Sequence, residues 1–100
     1  MWADKVSIEI LLALETEGQF NSINILTKRV NTVGRECISR HVNILERQGY
    51  LILESPRGNQ RVKNVILTPE GVLLASALLE SYRLLQEGFK REMDKSKRVD

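Results

Sequence analysis

The chain holds one cysteine, Cys37, and one histidine, His41, in 100 residues. A single thiol excludes an intrachain disulfide, and the closed zinc sets of four Cys or His ligands cannot be filled. The same scarcity, with no clustered carboxylates, leaves little from which to build a nucleophile or general base, so neither an enzyme nor a cofactor site is expected. Long apolar runs are missing too. Stretches such as Val72 to Ala75 fall far short of the roughly 20 residues that a membrane-spanning helix needs. Asp4 stands where a signal peptide would carry its apolar run, and the expected location is cytoplasmic, with no membrane partner. Internal repeats and low-complexity segments are also lacking. A chain of 100 residues suits a single domain spanning 1–100.

Charge is present but unevenly spread. The net value is +2, yet residues 1–19 carry one base against four acids, residues 20–67 eight bases against three acids, and residues 68–100 six of each. The positive charge therefore sits mid-chain, where a polyanion would bind.

Periodicity divides the chain into five parts. Over 4–18, Val6, Ile10, Leu11 and Leu14 recur at helical spacing, with Asp4 as N-cap and Gly18 as the stop. Ser22 can cap a second helix over 22–31, striped by Ile23, Leu26 and Val30. After the turn Asn31-Thr32-Val33-Gly34 a third helix covers 34–48, with Ile38, Val42 and Leu45 on one face and Gly49 at the C′ position. The period then changes: 50–67 reads as a hairpin whose tip carries proline, glycine and asparagine. Thr68 caps a last helix over 68–96, with Pro69 at its first position and Glu70 near the positive end of its dipole. Two helices joined by a four-residue turn and followed by a basic hairpin make the pattern of a winged helix-turn-helix, mainly α with a small β-hairpin.

The stretch Ile38-Ser39-Arg40-His41-Val42-Asn43-Ile44-Leu45-Glu46-Arg47-Gln48-Gly49-Tyr50-Leu51 resembles the recognition helix and first wing strand of the MarR-like transcriptional regulators. Leu67-Thr68-Pro69-Glu70-Gly71 is similar to their wing-to-helix junction, and Ser55-Pro56-Arg57-Gly58-Asn59-Gln60-Arg61 takes the place of their basic wing tip. The resemblance covers about residues 20 to 75, in a chain shorter than typical members. It implies a winged-helix body that binds double-stranded DNA as a homodimer, on a pseudo-palindromic site, to regulate transcription. No effector ligand is named by these motifs.

The buried stripe of the third helix fixes which side chains point away from it. Arg35, Glu36, Ser39, Arg40 and Asn43 are the expected base readers: Arg40 can pair with guanine, Asn43 with adenine, and Glu36 can accept from cytosine. The bland alternative is that these residues form the solvated face of an amphipathic helix. Arg57, Arg61 and Lys63 in the wing are expected on phosphate or in the minor groove, and Thr32 with Lys28 or Arg29 are weaker phosphate candidates. His41 falls at the edge of the core as a structural residue. Cys37, in the first helical turn, invites a redox role but has no resolving cysteine in the chain.

The last helix begins apolar on nearly every side, which calls for burial all round. At about 1.5 Å per residue it would also overrun so small a body. The surplus is expected to pack against a second copy through Leu78, Tyr82, Leu85 and Phe89, joined by Trp2, Val6 and Ile10. Two rival functions remain open: an architectural, largely nonspecific DNA binder, and a winged-helix protein-interaction module.

Overall fold

The computed structural model describes residues 5–56, 58 and 62–97. Helix α1 (Lys5–Glu17) leads into a two-residue strand β1 (Gln19–Phe20). Helices α2 (Ile23–Val30) and α3 (Arg35–Arg47) follow, then strands β2 (Leu51–Glu54) and β3 (Asn64–Leu67), and the long helix α4 (Pro69–Lys97).

The capping chemistry places the breaks. Ser22, in extended backbone, accepts the Ile25 N–H on its side-chain oxygen at 3.1 Å and so starts α2. Asn31 ends it in the left-handed region (φ 59°) while its N–H reaches the Thr27 carbonyl, a conformation asparagine tolerates better than most residues. Gly34 then precedes α3 without a side-chain cap. At the far end Gly49 sits at φ 88°, its expected C′ position.

The hairpin is part of a larger sheet than periodicity indicates. β3 pairs antiparallel with β2 on one side, Leu51 facing Leu67 and Glu54 facing Asn64, and with β1 on the other, Phe20 facing Val65. The strand order is β1-β3-β2. On the exposed side of β2, Glu46 of α3 accepts the Leu53 N–H at 3.3 Å, so one edge donor is covered by a helix side chain.

Every element sends at least one side chain into a common core. Ile10, Leu11 and Leu14 come from α1, Leu26 from α2, and Ile38, Val42 and Leu45 from α3. Phe20, Leu51 and Val65 come from the sheet and Ala75 from α4. The wing-to-α4 junction is pinned to the end of α3: Thr68 N–H donates to the Tyr50 carbonyl (3.1 Å) and its hydroxyl to the Gly49 carbonyl (2.6 Å). The same hydroxyl accepts the Gly71 N–H (3.0 Å), capping α4. Gly71 lies so close to this corner that a Cβ there would stand 1.8 Å from the Tyr50 carbonyl oxygen.

The body covers the apolar start of α4 on one side only, and within the single chain Leu73 is 73% exposed and Val72 is exposed as well. The molecule is correspondingly long, 66 × 26 × 25 Å. None of the helices among the described residues is long and apolar enough to cross a membrane.

Candidate nucleic-acid interface

The apolar period of α3 does two things at once. It drives Ile38, Val42 and Leu45 into the core between α1 and α2, and it thereby turns the remaining positions outward. Arg35, Glu36, Arg40, Asn43 and Arg47 are exposed, and Ser39 is half-buried. The outward face therefore carries a donor fork, an amide and a carboxylate with no apolar side chain among them, the set of groups that can read base edges.

Beside this face, Arg35 and Ser39 join Lys63, at the base of the wing, and Ser22, Ile23 and Asn24, at the start of α2, around a shallow cleft of about 190 Å³. Arg35 Nε donates to Asn24 Oδ1, which ties the first residue of α3 to the first turn of α2. Two cations and the N–H-rich end of a helix thus border one concavity, where an anion is favoured. The part played by Asn24 is invisible in the sequence, since no local pattern links it to a residue 11 positions later. Arg57 and Arg61 lie outside the described residues.

Two of the weaker candidates also bond to α1. Thr32 Oγ1 donates to Glu9 Oε2 at 2.7 Å, and Arg29 Nε donates to Glu17 Oε1 at 2.7 Å. Both pair with α1 while remaining exposed, as Lys28 is. His41 is half-buried, its Nδ1 lying 2.8 Å from the Cys37 carbonyl oxygen and 3.6 Å from Cys37 Sγ. Among the described residues no group of three or more His, Cys, Asp or Glu is placed to hold a metal ion.

The expected self-association surface is divided by the fold. Ile10 is corrected: it is fully buried in the chain's own core, because α1 turns that face toward α3 and α4, and it has no surface left for a partner. Val6 and Leu78 are partly buried against the same core. Trp2 lies outside the described residues. Along α4, Gly71, Ala75, Leu78, Tyr82, Leu85, Phe89 and Met93 follow one another at steps of three or four, which puts them on one stripe. The body covers its beginning, where Ala75 is buried, but beyond it Leu85 and Phe89 are 73% and 70% exposed.

Neither the protein-family models nor the curated protein sequences give a match to this chain. Solved structures do. BpsR of Bordetella bronchiseptica, studied for the regulation of its DNA binding by 6-hydroxynicotinic acid, is similar with a TM-score of 0.77 and 16% identity, over 87% of this chain and 64% of its own. The MarR family transcriptional regulator SPO1453 of Silicibacter pomeroyi is similar with a TM-score of 0.72 and 20% identity, over 84% of this chain and 57% of its own. The fold is that of the MarR-family winged helices. A transcriptional regulator homologue from Pyrococcus horikoshii shares it with a TM-score of 0.69 and 20% identity, over 86% of this chain and 84% of its own. The chain thus spans less than two thirds of the length of BpsR and SPO1453, and in MarR terms α2 and α3 are the helix-turn-helix and β2 with β3 the wing.

Proposed function

We propose that this chain is a sequence-specific, double-stranded DNA-binding regulator of transcription that works as a homodimer. The observation that carries the reading is the outward face of α3. Arg40, Asn43 and Glu36 stand exposed on a helix whose opposite side is locked into the core, on the body that BpsR and SPO1453 also have. α3 lies in the major groove in this reading, with Arg35, Glu36, Ser39, Arg40 and Asn43 on base edges. Lys63, Arg57 and Arg61 meet the backbone or the minor groove.

Dimerism is supported by α4. Its 29 residues would extend about 43 Å at 1.5 Å per residue, and the part of its stripe beyond the body exposes Tyr82, Leu85, Phe89 and Met93. Neighbouring large apolar side chains of this kind mark an association surface, and a second copy offers the same surface in return. Leu78 and Val6 flank it.

Selection of bound sites from random duplex DNA tests both parts together. A recovered pseudo-palindrome is the expected result. Retention without any preferred sequence would instead favour an architectural DNA binder, and no retention a protein-interaction module.

A further inference from the structure

The acidic character of the first segment has a structural use. The three glutamates of α1 each accept a hydrogen bond from a different element: Glu9 from Thr32 in the turn before α3 (2.7 Å), Glu15 from Ser76 of α4 (2.9 Å), and Glu17 from Arg29 at the end of α2 (2.7 Å). Glu9 and Glu17 are eight residues apart, about 80° around the helix, so they lie on one side of α1. Their donors are three residues apart and bracket the end of α2. Gly34 supplies no side-chain cap to α3, so the turn in front of that helix acts beside its core packing and the Arg35–Asn24 bond in setting its first turn.

We infer that Glu9 and Glu17 form a two-point clamp on the end of α2 and the turn, and that Thr32, through Glu9, is a positioning residue for the recognition helix. With the core packing of Ile38, Val42 and Leu45, the clamp sets how α3 presents Arg40 and Asn43 to the groove, and Glu15 ties the same strut to α4. This inference rests on the DNA-binding reading. The clamped groups line an open cleft of about 370 Å³ together with Leu79 and Tyr82 of α4, so the turn has space to move once released. Glu9 also lies 3.8 Å from the exposed Lys5 ammonium, a looser pairing that leaves the Thr32 bond in place.

The sign of the effect at Glu9 separates the clamp from plain electrostatics. Removing a carboxylate from a DNA-binding protein should, by charge alone, strengthen binding to every duplex. The clamp predicts that Glu9→Ala lowers the ratio of affinity for the selected site over random duplex by about fivefold, the order of one typical net hydrogen bond at an exposed site. Thr32→Val, which keeps the shape and removes the hydroxyl, should lower it equally. The double variant should lower it no further, and Thr32→Ser should restore it.

Amide exchange of residues 33–38 in the DNA-free protein provides a second readout: it should quicken in Thr32→Val and Glu9→Ala but not in Thr32→Ser. An unchanged affinity ratio in both single variants, additive losses, or a Ser variant that behaves like Val would overturn the clamp. If the unmodified chain prefers no site, the DNA reading falls, and unchanged exchange rates would then remove the clamp independently.

Discussion

Gly71 and Thr68 show how much one corner can carry. A methyl group at position 71 would meet the Tyr50 carbonyl oxygen at 1.8 Å, backbone against which no side chain can yield. Gly71→Ala should therefore cost about 3 kcal/mol through overpacking and lower the melting temperature by more than about 10 °C, measurable by circular dichroism; an unchanged melting curve would mean that α4 joins the body differently. Thr68 acts beside it, donating to Gly49 and capping Gly71, and Thr68→Ala should cost about 1 to 2 kcal/mol. On the solvent side of α4, Arg83 donates to both Glu80 and Glu87. Its hydrogen bond, aided by its charge, holds the Glu80 carboxyl below its ordinary value of 4.5. A lowered carboxylate pKa adds stability above the unfolded value, which fades as pH falls through the folded one. The Glu80 titration followed by NMR should have its midpoint below 4.5 and move back toward it in high salt, since the pair is exposed.

Among the elements, α3 is the most legible from sequence, because three apolar residues at helical spacing determine both what is buried and what is presented. β1 is the least legible. An extended piece around Gln19 to Asn21 is readable after Gly18, but Gln19 and Phe20 become a strand only by pairing with Ile66 and Val65, more than 40 positions away. The bond between Thr32 and Glu9 escapes a sequence reading for the same reason, whereas Ser22 and Thr68, which act within three residues, stand out as caps. The apolar start and surplus length of α4 are legible, but composition does not say which of its apolar residues the chain's own body covers: Ala75 is buried, while Val72 and Leu73 are exposed. Its exposed end leads to a prediction at this scale. Leu85 and Phe89 are largely free of the chain's own core, so Leu85→Glu with Phe89→Glu should leave the fold intact and halve the mass seen by light scattering, from about twice 11.5 kDa to 11.5 kDa. A double variant that keeps the full mass would move the interface elsewhere. In the wing, replacing Arg57 and Arg61 with Ala should weaken binding to all duplexes alike. It should also flatten the plot of log affinity against log salt by about 0.9 for each phosphate no longer neutralised, and an unaltered slope would remove the wing from the interface.

The whole molecule separates its charges by task. The acids of α1 accept bonds from the turn, α2 and α4, while the bases of the middle segment include the exposed Arg35, Arg40, Arg47 and Lys63, so the attraction for a polyanion is directed to one region. In the proposed dimer, the open apolar stripe of the long α4 would pair two such regions. A two-fold pair of winged helices would read half-sites about 34 Å apart, or a multiple of that, and the selected site should show this spacing as mirror-image positions. The claim that α3 reads sequence is tested most directly by measuring Arg40→Ala on the selected duplex and on random duplex at one salt concentration. The account predicts a loss of about 1 to 3 kcal/mol on the selected site, little change on random DNA, and relaxed choice at one base position in each half-site. An equal loss on both duplexes would contradict it, making Arg40 a phosphate-binding group and the protein a binder of DNA shape rather than of sequence.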